Sequence, residues 1–359
     1  NPNSLDLPDS LFLRPTVMAI FDALEDTLTL ITPVWPDDEL EAITAYDAAR
    51  ARLRSVVSDL DQTLLPYRSE HGRPGHSPIT PNSNMSKEAF CDIVKTCKDY
   101  IHAGDAFQIV PSQRFRMPFD LPDFSFYRAL RRLNPSPFLF FMNFGEFSVV
   151  GSSPEILVRV RDGKVTLRPL AGTRPRGATP EEDRALAEDL LNDPKERAEH
   201  LMLLDLGRND VGRVAKVGSV KVTEQFIVEY YSHVMHIASN VEGELADDSD
   251  AIDALLAGFP AGTVSGAPKV RAMEIIDEVE LERRGVYAGC IGYFGADGDM
   301  DTCIALRTAV IKDQMLYVQA GCGVVADSDP ENEYQETVNK ALALVRAAEE
   351  AEAFAINNS

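Results

Sequence analysis

Apolar and polar residues alternate along the first part of the chain. Over residues 16–35 this alternation predicts two strands, with residues 22–26 forming the turn of a hairpin. Over residues 37–65 the apolar residues recur at helical spacing instead, which predicts a helix. Residues 68–84 collect Gly, Pro, Ser and Asn, and we interpret them as a loop in preference to a domain boundary.

Helical spacing returns after this loop. Ser86 can cap a helix that ends at Gly104. The tetrapeptides Thr179-Pro180-Glu181-Glu182 and Asp193-Pro194-Lys195-Glu196 indicate two more helix starts, each with Pro at the first helical position. Asp329-Pro330 indicates the start of a final helix.

Strand signals dominate between these helices. The segments are short, β-branched or aromatic, and broken by Gly or Asp, which is typical of an antiparallel sheet. They cover residues 138–144, 147–150, 156–160, 164–170, 220–226, 233–241, 290–294, 304–311 and 316–320. Antiparallel strands with helices inserted between them predict an α+β fold and not a regular βαβ series.

Composition limits the classes of partner. The 359 residues are 45% hydrophobic and carry a formal net charge of −22, which disfavours binding to nucleic acid or to an acidic membrane surface. The apolar stretches are too short to span a bilayer. The five cysteines form no CxxC pair, as in a protein with reduced thiols. We expect a cytoplasmic protein that binds small molecules, cations or other proteins.

Two pairs of glutamates lie three positions apart on predicted helices. Glu196 and Glu199 share one helix face, and Glu333 and Glu336 share a face of the last helix, with Lys340 one turn further. Carboxylates on two helices could converge on a hard cation such as Mg²⁺. By spacing alone, helix capping for Glu196 and an exposed helix face for the second pair are the more ordinary interpretations.

Other common catalytic patterns are missing from the sequence. Lys269 follows Gly266 by only three residues, so the turn at residues 261–266 is not a phosphate loop. No GxSxG or Cys-His signature supports nucleophilic hydrolysis. His233 and His236 lie three apart in a predicted strand, so only one of them can line a given cavity.

Three longer motifs are specific enough to indicate a family. They are Pro169-Leu170-Ala171-Gly172-Thr173-Arg174, the helix segment over residues 198–210, and the glycine-rich segment over residues 259–269. The sequence closely resembles anthranilate synthase component I from about Leu5 to the final helix. The resemblance implies the family's α+β fold of large antiparallel sheets flanked by helices. It also implies a remainder of the N-terminal region over residues 1–84 and a chorismate-binding catalytic region over residues 85–359, together one compact unit.

The resemblance implies Mg²⁺ as the cofactor. In such enzymes the glutamates that match Glu199 and Glu336 hold the ion, which binds the ring carboxylate of chorismate. Glu196 and Glu333 match close supporting positions. The cation would offset the repulsion between an acidic site and a dianionic substrate.

The family pattern also implies substrate contacts. Arg307, Tyr287 and the backbone of Gly321, Cys322 and Gly323 match the clamp for the enolpyruvyl carboxylate, where a guanidinium can bind two oxygens. The turn of Gly172 and Thr173 matches the contact beside the ring, although tight turns alone would explain these glycines. The full set of candidate substrate-binding residues is Gln108, Gly172, Thr173, Tyr287, Arg307, Gly321, Cys322, Gly323 and Lys340.

Three residues match the family's catalytic positions. Glu155 matches the general acid for the departing C4 hydroxyl, with a surface carboxylate as the ordinary alternative. Thr263 matches a residue that hydrogen-bonds near that hydroxyl. His236 matches the group that removes the C2 proton as pyruvate is eliminated.

Two positions indicate which nucleophile is used. Aminodeoxychorismate synthases carry a nucleophilic Lys where this chain has Ala171, and isochorismate and salicylate synthases carry a water-activating Lys near Gln108. An amide is not a base at neutral pH, so ammonia is the expected nucleophile at C2. The alternatives are a 2-amino-2-deoxyisochorismate synthase, which keeps the enolpyruvyl group, and a non-catalytic chorismate-binding module.

The source of ammonia and the response to tryptophan lie outside the catalytic motifs. Nothing in the sequence resembles a glutaminase, so we expect a separate glutamine amidotransferase subunit and a hetero-oligomer. The Leu-Leu-Glu-Ser-like segment of the family's tryptophan pocket would precede Asn1. Pro135, Ser136 and Pro137 match the second part of that pocket, and a Pro-rich turn is their ordinary interpretation.

Overall fold

The computed structural model describes residues 1–35, 41–63, 80–231 and 234–356. The chain divides into two compact units, one formed by Asp6–Tyr67 and the other by Asn1–Leu5 together with Arg68–Ser359. The division at residue 84 that the family resemblance implies stays a prediction.

The smaller unit contains a hairpin and one helix. Strands β1 (Met18–Asp22) and β2 (Thr27–Ile31) pair antiparallel, as the alternation predicts. Asp22 closes the turn, because its carboxylate accepts hydrogen bonds from the N–H groups of Leu24 at 2.9 Å and Glu25 at 3.0 Å. Helix α1 (Ala42–Leu60) occupies the centre of the predicted range 37–65. Residues 36–40 and 64–79, and with them most of the predicted loop, lie outside the described residues.

The larger unit carries the remaining elements. In chain order they are β3 (Asn82–Ser83), α2 (Lys87–Ala103), β4 (Gln108–Ile109), β5 (Ser112–Pro118), α3 (Asp123–Leu133), β6 (Phe138–Asn143), β7 (Phe147–Ser153), β8 (Ile156–Arg161), β9 (Lys164–Leu167), β10 (Leu170–Pro175), α4 (Pro180–Asn192), α5 (Pro194–Gly212), β11 (Lys221–Tyr230), β12 (Val234–Glu244), α6 (Ala251–Gly258), α7 (Gly262–Ser265), β13 (Gly266–Ala267), α8 (Lys269–Val279), β14 (Cys290–Phe294), β15 (Met300–Ile304), β16 (Thr308–Lys312), β17 (Met315–Gly321) and α9 (Pro330–Ile356).

Two large antiparallel sheets organise this unit and confirm the α+β class. The first has seven strands in the order β10-β12-β9-β8-β15-β14, with β11 also paired to β12, and the second has six in the order β3-β5-β17-β16-β7-β6. Helices α3 and α9 pack on the six-stranded sheet around Phe126 and Leu344. Helices α5 and α6 pack on the seven-stranded sheet around Leu204 and Ala254.

Helix starts follow the predicted capping residues. Ser86 Oγ accepts a hydrogen bond from the N–H of Ala89, and α2 ends at Gly104 with φ of 87°. Thr179 and Asp193 cap α4 and α5 in the same way, each with Pro at the start of the helix. Helix α9 begins at Pro330. Local capping chemistry therefore fixes these four helix boundaries.

Two predicted strands are wrong in extent. The segment 304–311 is not one strand, because β15 ends at Ile304 in one sheet and β16 begins at Thr308 in the other. The segment 164–170 is likewise divided between β9 and β10. In the first case the break carries the chain from one sheet to the other, and that crossing positions the candidate site. Within the described ranges, no helix is both long and apolar enough to cross a membrane.

Candidate active site

Two crossings between the sheets form the centre of the candidate site. The chain passes from β7 to β8 through Glu155 and from β15 to β16 through Arg307. The crossings are adjacent, because the N–H of Ile304 donates to the Glu155 carbonyl and the N–H of Ser152 donates to the Arg307 carbonyl, each at 3.1 Å. Arg307 has φ of 46°. Such a conformation costs a non-glycine residue roughly 1–3 kcal/mol and is common at functional sites.

Glu155 is a buried carboxyl that stays protonated at neutral pH. Its side chain is 6% exposed, and burial raises the pKa of Glu155 to about 8. The Thr263 hydroxyl, the Leu170 backbone and the positive charge of Lys340 offset part of that rise. Thr263 Oγ1 is itself buried, and it has no hydrogen bond of good geometry to the described residues. Glu155 and Thr263 therefore place a carboxylic acid and a buried hydroxyl side by side.

His236 lies on β12 opposite an irregularity in β10. The register shifts between Ala171 and Thr173, and Gly172 takes up φ of 74°. This turns the Gly172 carbonyl toward His236 Nδ1 at 3.0 Å, with Thr173 Oγ1 at 3.1 Å from the same nitrogen. Because a carbonyl only accepts, Nδ1 carries the hydrogen and Nε2 keeps its lone pair. Burial, together with the charges of Arg307 and Lys340, lowers the pKa of His236.

A positively charged region lies beside these groups. The Arg307 guanidinium has no acidic partner among the residues that the structure describes, and burial lowers its pKa. Lys340 donates to the Gly321 carbonyl at 3.0 Å. A Cβ at Gly321 would lie 2.7 Å from the Tyr287 hydroxyl, so only glycine allows this approach. The predicted set of Arg307, Tyr287 and Gly321 can therefore receive an anion.

The carboxylates of α5 and α9 influence one another. Burial and the charges of Glu196 and Glu336 raise the pKa of Glu199, and burial and the charge of Glu336 raise that of Glu333. Glu333 Oε2 is buried without a partner in the described chain. These are oxygen donors that a hard cation would stabilise. The four residues thus fit Mg²⁺ by donor type and by mutual repulsion.

The same carboxylates are not yet arranged as a ligand cluster. Glu336 forms an ion pair with Lys340 at 2.7 Å, and Glu196 forms one with Arg174 at 3.1 Å. Over the described ranges, no group of three or more His, Cys, Asp or Glu side chains is placed to hold a metal ion. The assignment of Glu199 and Glu336 as ligands stays a prediction.

Gln108 is the amide that faces the carboxylates. It is 2% exposed and its Nε2 donates to Glu199 Oε1 at 2.9 Å. Gly323 allows this contact, because a Cβ there would lie 2.7 Å from Gln108 Nε2. Cys322, between the glycines, is fully buried, and burial raises the pKa of its thiol. Ala171 is also buried. An alanine and a glutamine both lack a side-chain amine, so neither of these residues can supply one at the site.

Two arginines that the sequence reasoning missed hold the site together. Arg284 donates to the carbonyls of Val264 at 2.7 Å and Val110 at 2.5 Å, and its charge lies over the Tyr287 ring. It also pairs with the buried Glu280, which accepts from Ser112. Glu280 and Arg284 are four positions apart, but they follow the end of α8, so helical spacing provided no signal for this pair in the sequence.

Arg174 links the β10 turn to the α5 carboxylates. Its guanidinium pairs with Asp189, Asp193 and Glu196 at 2.7, 2.8 and 3.1 Å. Glu196 also packs on the turn, since a Cβ at Gly172 would lie 3.0 Å from its Oε2. The capping-box interpretation of Glu196 is therefore wrong, because the Asp193 N–H donates to the Leu190 carbonyl and the Glu196 carboxylate pairs with Arg174.

The predicted effector residues follow Asn134, whose carbonyl accepts a hydrogen bond from the Ser152 hydroxyl next to the first crossing. Pro135, Ser136 and Pro137 connect α3 to β6, with both prolines exposed. Their role in effector binding stays a prediction. His233 lies outside the described residues.

A comparison with known protein families matches nearly the whole chain. Residues 1–346 match the family described as chorismate binding enzyme. The chain belongs to the chorismate-binding enzyme family. This confirms the resemblance that the three sequence motifs indicate, while the roles of Glu155, His236 and Arg307 stay predictions.

Curated relatives within the chorismate-binding enzyme family share most of the chain. The anthranilate synthase component 1 of Cereibacter sphaeroides is 61% identical over 355 residues, which cover 99% of this chain and 71% of the relative. The protein of the same name from Aquifex aeolicus is 51% identical over 354 residues, covering 98% of this chain and 71% of the relative.

Solved structures of the family confirm the fold. Anthranilate synthase component I from Streptococcus pneumoniae superposes with a TM-score of 0.81 at 46% identity, covering 91% of this chain and 72% of that one. The menaquinone-specific isochorismate synthase from Escherichia coli superposes with a TM-score of 0.71 at 26% identity, covering 86% and 70%. The chain is thus much more similar in sequence to the first of these two enzymes.

Proposed function

We propose that this chain is the synthase component of an anthranilate synthase. It aminates chorismate at C2 with loss of the C4 hydroxyl, and then eliminates pyruvate to give anthranilate for tryptophan biosynthesis. The observation that carries the proposal is the geometry of an acid and a base at one site: the buried Glu155 carboxyl lies beside Thr263, and the Gly172 carbonyl holds His236 by Nδ1 and leaves Nε2 free. Five free thiols agree with a reducing, cytoplasmic setting.

Two groups of residues would bind the two carboxylates of the substrate. Arg307 and Tyr287, with the backbone at Gly321, would hold the enolpyruvyl carboxylate. Glu199 and Glu336 would hold Mg²⁺, supported by Glu196 and Glu333. The ion supplies positive charge for the ring carboxylate and removes the repulsion between these glutamates.

The amination step needs an acid at C4. Glu155 donates its proton to the hydroxyl oxygen as the C4–O bond breaks, so that water leaves. The ring double bond shifts and ammonia forms the new bond at C2. Thr263 lies beside Glu155 and orients the departing oxygen.

The elimination step needs a base at C2. His236 Nε2 takes the C2 proton, the electron pair enters the ring, and the bond to the enolpyruvyl oxygen breaks, so that the enolate of pyruvate leaves and takes up a proton to become pyruvate. The Gly172 carbonyl fixes the ring so that Nε2 faces the substrate. A neutral base in this position favours anthranilate over an aminated product that keeps the enolpyruvyl group.

Ammonia as the nucleophile follows from the absence of an amine at two positions. Ala171 cannot attack the ring, and the Gln108 amide cannot activate water. Gln108 instead donates to Glu199 and leaves its Oε1 buried without a partner in the described chain. We propose a separate glutamine amidotransferase subunit as the physiological source of ammonia, in a hetero-oligomer.

Product analysis tests the proposal. The purified chain with chorismate, Mg²⁺ and ammonium should give anthranilate and pyruvate in equal amounts, and EDTA should stop both. Amination without pyruvate would indicate a 2-amino-2-deoxyisochorismate synthase. Chorismate binding by calorimetry with no product, even with the amidotransferase present, would indicate a non-catalytic module and contradict the proposal.

A further inference from the structure

A small cavity lies behind the general acid. Its volume is about 30 Å³, and its wall includes Glu155 and Thr263. The wall continues along α5 and reaches Arg168 and Leu206, which are half-buried. Of the predicted site residues, only Glu155 and Thr263 belong to this wall. The cavity therefore meets the site at the acid and leads away from the anion-binding groups.

The cavity has the size and polarity for a water molecule. A buried water needs roughly 10–15 Å³ of such volume and two to four polar partners. The Glu155 carboxyl is one partner, and Thr263 Oγ1 is a second. The Thr263 hydroxyl is buried beside the Glu155 carboxyl, and since a hydroxyl both donates and accepts, it can form a further hydrogen bond to a small polar molecule.

We infer that this cavity receives the water formed when the C4 hydroxyl leaves, and that it returns a proton to Glu155 for the next turnover. The inference rests on the proposed function. When the C4–O bond breaks, its electron pair stays on oxygen and the Glu155 proton completes the water molecule. Glu155 is then a carboxylate, and a water in the cavity connects it to solvent while product still occupies the site.

The position of the cavity favours water over ammonia as its occupant. Ammonia attacks C2, whereas Glu155 protonates the oxygen at C4 and Thr263 orients that oxygen. Gln108 and Glu199 do not line the cavity. A route for ammonia would have to reach the part of the site that contains Gln108 and Glu199.

Gly207 offers a way to fill the cavity without disturbing the fold. Leu203, Leu206, Gly207 and Asp210 line it from one face of α5. A Cβ at Gly207 would meet only Val241 Cγ2, at 4.0 Å, so alanine fits. Gly212 lies on the same helix, does not line the cavity, and has nothing within 4 Å of its Cβ position. Both Gly→Ala changes favour the helix, so Gly212→Ala is a matched control.

The test measures turnover with chorismate, Mg²⁺ and ammonium. Gly207→Ala should lower kcat roughly tenfold, part of the ~10²- to 10⁴-fold that a positioned acid contributes, with KM for chorismate and Tm not impaired. Gly212→Ala should match the unmodified chain. A high-resolution crystal structure should show water beside Glu155 in the unmodified chain and its displacement in Gly207→Ala.

Two results would overturn the inference. The first is unchanged kcat in Gly207→Ala when its crystal structure shows the methyl group in the cavity. The second is a loss of activity that higher ammonium restores, which would make the cavity an ammonia route. Both results concern the variant only. Production of anthranilate by the unmodified chain tests the proposed function, so failure of the inference and failure of the proposed function can be told apart.

Discussion

His236 Nδ1 lies 3.0 Å from the carbonyl oxygen of Gly172. This contact connects a backbone irregularity in β10 to the protonation state of a side chain on β12. Because the carbonyl can only accept, it selects the ring form with a free Nε2. The left-handed conformation of Gly172 thus leaves His236 Nε2 unprotonated and able to accept a proton.

His236→Asn should separate the two halves of the reaction. The variant lacks the base for the C2 proton, while Glu155 and the anion-binding groups remain. Pyruvate release should fall by about 10²- to 10⁴-fold, the usual contribution of a general base, while chorismate consumption falls less. Mass spectrometry would detect the aminated compound that still carries the enolpyruvyl group. Equal loss of both activities would remove His236 from the elimination step.

The pH dependence of turnover should reflect two groups. Glu155 must keep its proton, so activity should fall as pH rises through about 8. His236 must be neutral, and because its pKa is lowered from the ordinary value of 6.5, it stays neutral at pH values somewhat below 6.5. A plateau across neutral pH is expected in kcat/KM. Activity that rises above pH 8 would contradict the assignment of Glu155 as the acid.

Glu155→Gln should lose activity and gain stability. Between the ordinary carboxyl value of 4.5 and about 8, the folded chain binds a proton that the unfolded chain has released. Stability of the unmodified chain therefore falls as pH rises through this range. The glutamine variant lacks this loss, so its advantage should grow from pH 4.5 to pH 8, reaching about 4 kcal/mol. Denaturant unfolding at both pH values measures the difference, and a constant difference would contradict the account.

Glu336→Gln should weaken Mg²⁺ binding while the fold is kept. Removing one charged ligand should reduce affinity at least about tenfold, since ligand charge is a main determinant of binding by hard cations. Calorimetry with Mg²⁺ measures this without catalysis. Glu331→Gln is the matched control, because Glu331 lies on the same helix but pairs with Lys87. Equal affinity in the two variants would remove Glu336 from the metal site.

The Glu280–Arg284 pair should position the substrate clamp. Arg284→Met alone leaves a buried charge on Glu280 and should cost about 3–5 kcal/mol of stability. The double variant Glu280→Leu with Arg284→Met should recover much of that stability, because an apolar pair replaces the ions. Its KM for chorismate should still be raised, since Val264, Val110 and Tyr287 lose their common contact. A stable double variant with unchanged KM would show that the pair is only structural.

Local sequence patterns predicted much of the fold. Ser86, Thr179 and Asp193 cap helices through their own side chains, so short-range chemistry fixes those boundaries. The crossing at Arg307 could not be predicted in this way. Apolar residues continue on both sides of it, and the left-handed backbone is set by contacts between two sheets.

The sequence allowed candidate site residues to be proposed only at positions that match the family pattern. The positions of Glu155, His236 and Arg307 came from resemblance, while their protonation states depend on burial that the sequence does not show. The Arg284 contacts join segments up to 174 positions apart. Pairings over such distances follow from the fold, and no local pattern predicts them.

Isotope labelling tests the central claim, that this site adds ammonia and not water at C2. The chain is incubated with chorismate, Mg²⁺ and ¹⁵N-ammonium in ¹⁸O-water, and the products are identified by mass spectrometry. The account predicts ¹⁵N-anthranilate and an equal amount of pyruvate, with no ¹⁸O bound to the ring. Isochorismate labelled with ¹⁸O at C2, formed in place of anthranilate, would contradict it.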